Sequence, residues 1–136
     1  MSAALRGFPD APKQEAPIKN VLIVDDDDTF GSALADGLTT VNPHLNSFKA
    51  QNGKQAVAIM NNIAIDLVIT DLRMPSMGGV ELTLWINELW PRVPVVVLSA
   101  YADTDTVLNL STQGNYFFDK PLDFASLART VNVLTA

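Results

Sequence analysis

Asp25, Asp26, Asp71, Ser99 and Lys120 each stand just beyond a short apolar run, and their side chains are of types that work together. Asp25 and Asp26 follow Val21-Leu22-Ile23-Val24, Asp71 follows Leu67-Val68-Ile69 and Thr70, and Ser99 follows Val95-Val96-Val97-Leu98. Lys120 follows Tyr116-Phe117-Phe118 and Asp119. Three carboxylates gathered in one pocket repel one another, so something must offset that cost at neutral pH. A hard cation with oxygen ligands does so, and magnesium suits an open site of a few carboxylates plus waters. A carboxylate bound to such a cation can accept a phosphoryl group when an ammonium and a hydroxyl stand beside it. Cation and ammonium stabilise charge on the transferring oxygens, and the hydroxyl donates a hydrogen bond to one of them. Carboxylate nucleophiles that form acyl phosphates are known chemistry. Such a set, if one fold gathers it, is built to phosphorylate an aspartate.

The elements that must position these residues are legible in the same runs. They are too short for helices, β-branched or aromatic, and apolar on both alternating faces, as strands covered on both sides of a parallel sheet are. A weaker, more polar strand is expected around Ser47–Ala50, at an edge. Between the runs lie amphipathic stripes: Phe30, Ala33, Leu34, Leu38 and Val41; Ala56, Met60 and Ile63; Leu82, Trp85, Ile86 and Leu89; Phe124, Leu127, Val131 and Leu134. The segment Thr104–Thr112, rich in Thr and Asn, predicts a poor helix with a narrow apolar face of Val107, Leu108 and Leu110. Breakers punctuate the pattern at Asn42-Pro43, Asn52-Gly53, Gly78-Gly79, Pro91 with Pro94, Gly114 and Pro121. Five β-α units in order imply right-handed crossovers and a doubly wound α/β sandwich. In such sheets the functional crevice lies beyond the carboxyl ends of the strands. Those ends carry the chemistry-bearing residues.

Composition narrows the rest. At 136 residues the chain makes one domain, and 48% hydrophobic with 18% charged residues excludes wholesale disorder. Residues 1–17, with Pro9, Pro12 and Pro17 and no period, read as a flexible leader to a domain spanning 18–136. The net charge of −6 disfavours nucleic acid or an anionic membrane as a direct partner, since both reward Lys and Arg clusters. That acidity is local: Asp25, Asp26, Asp27 and Asp28 supply four of the six excess charges. The absence of cysteine excludes disulfides and thiolate chemistry and fits a cytoplasmic location. No apolar run is long enough to span a bilayer, and the N-terminus lacks a signal-peptide core.

The stretches VLIVDDD, DLVITDLRMPSMGGVEL, VPVVVLSAYAD and FFDKPL resemble, in order and spacing, the receiver domain of two-component response regulators. The resemblance runs from about Lys19 to Leu134. It implies a flavodoxin-like sheet of five parallel strands in the order 2-1-3-4-5 with five helices. It further implies that Asp71 is the phosphoacceptor and that a histidine kinase or phosphotransfer protein supplies the phosphoryl group. Magnesium would be bound by the side chains of Asp26 and Asp71 and the main-chain carbonyl of Arg73, with Asp25 helping through water. Lys120 matches the lysine that contacts the phosphoryl oxygens, and the Lys120-Pro121 peptide is expected to be cis. Ser99 matches the switch Ser/Thr and Phe117 the switch aromatic, where Thr and Tyr are commoner. The surface of the fourth helix, fifth strand and fifth helix would then change shape toward an output domain, an effector or a second copy. Arg73 and Tyr101 occupy positions expected to affect phosphoryl lifetime.

Plainer readings stand beside these. Asp27 and Asp28 read as helix N-cap and first-turn acids, and Phe117 could be simple core. His44 is expected to face solvent, while Trp85 and Trp90 are expected to pack a helix and its exit. Among rival functions, Asp25-x-Asp27-x-Thr29 matches the opening motif of haloacid-dehalogenase-type phosphatases, with Asp25 as nucleophile and Asp27 as general acid. That reading leaves the Asp71-Leu72-Arg73-Met74-Pro75 segment unexplained and lacks the later acidic pair such enzymes use. Flavin or dinucleotide binding needs a Gly-rich or hydroxyl-rich loop after the first strand. Four aspartates there would repel a phosphate.

Overall fold

The structure, a computed structural model, describes residues 17–72, 78–100 and 104–136. The leader expected over 1–17 therefore lies, apart from an exposed Pro17, outside the described residues, as do Arg73, Met74, Pro75 and Tyr101. Strands and helices alternate without exception: β1 Lys19–Val24, α1 Asp28–Val41, β2 Leu45–Ala50, α2 Gly53–Asn62 and β3 Leu67–Asp71 form the first half. The second half is α3 Gly79–Leu89, β4 Val95–Ser99, α4 Thr104–Ser111, β5 Tyr116–Asp119 and α5 Phe124–Leu134. All strand pairs are parallel, in the order β2-β1-β3-β4-β5. This is the doubly wound, flavodoxin-like α/β sheet expected from the sequence. None of the described helices is long and apolar enough to cross a membrane.

The period of two along each strand divides the core. Leu22, Val24, Val68, Val95 and Val97 face Ala56, Met60, Leu82, Ile86 and Leu110 of α2, α3 and α4. Val21, Ile23, Leu67, Ile69, Val96 and Leu98 face Leu34, Leu38, Leu127 and Val131 of α1 and α5. The three central strands are closed to solvent on both sides, so truncating a residue such as Leu82 to Ala should cost about 2–5 kcal/mol.

Three helical stripes differ from expectation. On α3 the buried face is Gly79, Leu82, Thr83 and Ile86, while Trp85 and Leu89 are 46% and 53% exposed. A Gly and a Thr line the sheet because the helix approaches it closely, and Thr83 satisfies its hydroxyl on the Gly79 carbonyl at 2.6 Å. Trp90 does pack at the helix exit as expected. On α1, Gly31 and Ala35 are buried where Ala33 and Val41 were expected. In α4, Leu110 is buried and Leu108 exposed. β5 is an edge strand, so Tyr116 is exposed rather than covered on both sides. β2, at the other edge, matches its polar sequence, and His44 is exposed as expected.

The helix starts are specified locally. Asp27, Asn52 and Asp123 cap α1, α2 and α5, accepting from the backbone N–H groups of Phe30, Gln55 and Ser126. Gly114, at φ 87°, closes the α4–β5 turn in a conformation that disfavours any residue with a side chain.

Candidate functional site

The carboxyl ends of β1, β3, β4 and β5 meet at one edge of the molecule. Asp25 extends the β1 ladder by donating its N–H to the Ala50 carbonyl at 3.0 Å. Asp71 ends β3 and pairs with Leu98 of β4. Lys120 continues β5 by donating its N–H to the Ser99 carbonyl at 2.9 Å, and its peptide bond to Pro121 is cis. Asp25, Asp71 and Lys120 follow Ile23, Ile69 and Phe118 by two residues, so all three keep the parity of the α1/α5 side of the sheet. Ser99 follows Val97 and keeps the parity of the opposite side, which Phe117 shares.

One carboxylate oxygen each from Asp25, Asp26 and Asp71 lies within 4.8 Å of the others. Asp25 is buried, Asp71 half-buried and Asp26 exposed. Lys120 Nζ stands 3.5 Å from Asp71 Oδ1 and 3.8 Å from Asp25 Oδ2. Both are ion-pair distances but too long for good hydrogen bonds. Asp25 Oδ1 accepts the Asp27 N–H at 2.8 Å, whereas its Oδ2 is buried and accepts no hydrogen bond. Burial pushes the Asp25 carboxyl above its ordinary pKa. The nearby Asp71 and Asp26 charges push the same way, and the Asp27 N–H and the Lys120 charge oppose them.

An orphaned buried carboxylate oxygen next to two more carboxylates is an oxygen donor set open on one side. A divalent cation with oxygen ligands fits it by charge and chemistry. Arg73, expected to add a main-chain carbonyl, lies outside the described residues. Ser99 is buried at the end of β4. Phe117 is half-buried and packs against the core on the α2/α3/α4 side.

Asp27 and Asp28 lie where the plainer reading put them. Asp27 Oδ1 accepts the Phe30 N–H at 3.1 Å, and Asp28, in the first turn of α1, pairs with Lys49 at 3.2 Å. The phosphatase reading needs Asp27 as a general acid, yet its carboxylate is spent on the helix cap and stands outside the cluster of three acids.

Two residues with a bearing on the site were not singled out in the sequence. The Phe30 ring carries the Lys120 ammonium 4.5 Å from its centroid. Its signal was its place three residues after the Asp27 cap, at the end of α1 nearest the strand ends. In the sequence Gly79 reads with Gly78 as a breaker, but it is the first residue of α3, and a Cβ there would fall 2.1 Å from the Asp71 carbonyl oxygen.

A family model for the response regulator receiver domain matches residues 21–132. The transcriptional regulatory protein GlrR of Escherichia coli (strain K12) is 31% identical over 114 residues, covering 83% of this chain and 25% of GlrR. The DNA-binding transcriptional regulator NtrC of Proteus hauseri is 31% identical over 105 residues, covering 76% of this chain and 22% of NtrC. The chain thus spans about a quarter of the length of these curated relatives. A response regulator receiver protein from Pseudomonas putida superposes with a TM-score of 0.80 at 27% identity, over 88% of this chain and 99% of that one. A CheY-like receiver domain protein from Methanospirillum hungatei, at 22% identity and TM-score 0.79, over 85% of this chain and 92% of that one, shares the fold.

Proposed function

Because the chain belongs to the response regulator receiver domain family, we propose that it accepts a phosphoryl group on Asp71 and changes conformation in response. The observation that carries this reading is the convergence of Asp25, Asp26 and Asp71 with Lys120 Nζ 3.5 Å from Asp71 Oδ1. Asp25, Asp26 and Asp71, with the Arg73 carbonyl, would hold magnesium. That cation would offset the repulsion between the carboxylates and an incoming phosphoryl group.

An Asp71 carboxylate oxygen attacks the phosphorus of the donor. The new O–P bond forms as the bond from phosphorus to the donor breaks, and the donor's leaving group departs with the bonding electron pair. With a phosphohistidine donor that bond is P–N, and the departing imidazole nitrogen keeps the pair. Lys120 neutralises charge on the transferring oxygens, and the Ser99 hydroxyl donates to one of them. Aqueous cation access is preserved on the Asp26 side, which is exposed.

The response is a shift between two pre-existing states. Ser99 moves toward the phosphoryl group, Phe117 changes rotamer, and α4, β5 and α5 present an altered surface to an output domain, effector or second copy. The donor is a sensor histidine kinase or phosphotransfer protein, in the cytoplasm. The relatives named above are transcriptional regulators, so transcription is the output we assign to a longer chain carrying this domain.

The test is incubation with acetyl phosphate and magnesium followed by intact-mass measurement. The expected result is gain of one phosphoryl group by the native chain and none by Asp71→Asn. An Asp71→Asn variant that folds and is still phosphorylated at the native rate overturns the assignment. For the phosphatase alternative, hydrolysis of a generic phosphate ester abolished by Asp25→Asn would reverse the preference.

A further inference from the structure

We propose that Phe30 is a positioning residue for Lys120, its ring face acting as a seat that holds the ammonium over the acidic site for phosphoryl transfer. This role rests on the reading of Asp71 as phosphoacceptor. Lys120 Nζ lies 4.5 Å from the Phe30 centroid, well inside the range in which an aromatic quadrupole attracts a cation. Its two carboxylate neighbours stand at 3.5 and 3.8 Å, too far to fix an ammonium on a flexible four-carbon stem by good hydrogen bonds. The Lys120 side chain is also 26% exposed, so solvent competes for it. An attraction that needs no hydrogen-bond geometry is the one suited to restrict such a group.

The seat is itself tied to the acids. Asp25 Oδ1 accepts the Asp27 N–H at 2.8 Å, and Asp27 Oδ1 accepts the Phe30 N–H at 3.1 Å. The first turn of α1 is thereby registered against Asp25 by two consecutive bonds. Phe30 also packs against the core on the α1/α5 side, which fixes its ring from below. Any apolar residue could fill that core position; only an aromatic one presents a negative face to the ammonium.

The experiment is a double-mutant cycle on the rate of Asp71 phosphorylation by acetyl phosphate with magnesium, using Phe30→Leu, Lys120→Ala and their combination, with Phe30→Tyr as the conservative variant. Phe30→Leu is expected to slow uptake about two- to five-fold, the span of a partly exposed cation–π contact. Phe30→Tyr should retain the native rate, and Phe30→Leu should have no further effect once Lys120 is Ala. In parallel, the ε-methylene protons of Lys120 should be shifted upfield by the ring in the native chain and in Phe30→Tyr, and not in Phe30→Leu. Equal slowing by Phe30→Leu with and without Lys120 would reduce the ring to packing and overturn the proposal, as would an unchanged or faster rate in Phe30→Leu or unshifted Lys120 protons in the native chain. A native chain that takes up no phosphoryl group overturns the Asp71 reading and this role with it, which separates the two failures.

Discussion

Lys120 Nζ lies 3.5 Å from Asp71 Oδ1 although the two residues end strands separated in the sheet by β4. The ion pair therefore spans the carboxyl end of β4, the strand that Ser99 ends. Under the proposed function, that ammonium is the cation nearest to the charge that would form on Asp71.

Lys120→Ala should slow phosphorylation of Asp71 by acetyl phosphate about 100-fold, the usual scale for losing one electrostatic contact made to developing charge. Initial rates of intact-mass gain measure it. A variant within a few-fold of the native rate would remove Lys120 from the transfer step.

Magnesium should raise the unfolding temperature. At a metal concentration about 100 times Kd the stabilisation is about 2.7 kcal/mol, because the ion binds the folded site and not the open chain. The shift should be absent in Asp71→Asn and Asp26→Asn. A native protein whose melting does not move in millimolar magnesium lacks the proposed cation site.

Asp25 gives a pH signature in the metal-free protein. Its folded-state pKa lies above the ordinary value, chiefly through burial. As pH rises from below the ordinary carboxylate range through the raised folded value, the unfolded chain ionises Asp25 first. The folded state binds the proton more tightly there, so the Asp25 contribution to stability falls across that window and is constant above it. Asp25→Asn keeps an oxygen to accept the Asp27 N–H and has no charge to bury. In chelator at pH 7 it should therefore be more stable than the native chain, with the difference shrinking as pH falls toward 4. A native chain more stable than Asp25→Asn throughout would contradict the electrostatic account.

The fold was legible because the central strands are unambiguous. Val95–Ser99 is buried along its whole length, and its first four residues are an unbroken apolar run. The acids and Lys120 could be placed because strand ends follow from strand runs. What the pattern could not give was which of two overlapping helical stripes turns inward. The Trp85–Leu89 stripe is as apolar as the true one, and the true one uses Gly79 and Thr83, whose fitness lies in small size and a locally satisfied hydroxyl. The Phe30–Lys120 contact joins residues far apart in the chain, and no local period encodes it.

Asn115 should be worth more to stability than its place before an edge strand implies. Asn87 and Asn115 exchange two amide hydrogen bonds at 3.0 and 2.9 Å, and Asn115 Nδ2 also reaches the Leu110 carbonyl at 2.9 Å. This ties α3 to the turn between α4 and β5. Asn115→Ala removes all three bonds and strips the half-buried Asn87 amide of its partner, while the Leu110 carbonyl keeps the Gln113 N–H at 3.1 Å, an expected loss of about 1–3 kcal/mol in urea unfolding. Amide exchange in α4 should quicken more than in α1. Uniform quickening would mean that Asn115 stabilises the domain as a whole and does not govern the α4–β5 segment.

Gly79→Ala should reverse the usual sign of a helix substitution. Ala in place of Gly within a helix ordinarily adds about 1 kcal/mol of stability. Here a Cβ would stand 2.1 Å from the Asp71 carbonyl oxygen and 2.6 Å from Leu72 Cα, both backbone atoms that cannot rotate aside. The Asp71–Leu72 peptide is held by the Leu72 N–H on the Leu98 carbonyl at 2.9 Å and by the Thr70 hydroxyl on the Asp71 carbonyl at 3.0 Å. Relieving the overlap must move α3 or the end of β3, and overpacking of that kind costs about 1–3 kcal/mol or more. Because the displaced peptide is that of Asp71 itself, phosphorylation by acetyl phosphate should slow in the same variant. A Gly79→Ala protein as stable and as readily phosphorylated as the native chain would show that α3 does not press on the phosphoacceptor's backbone.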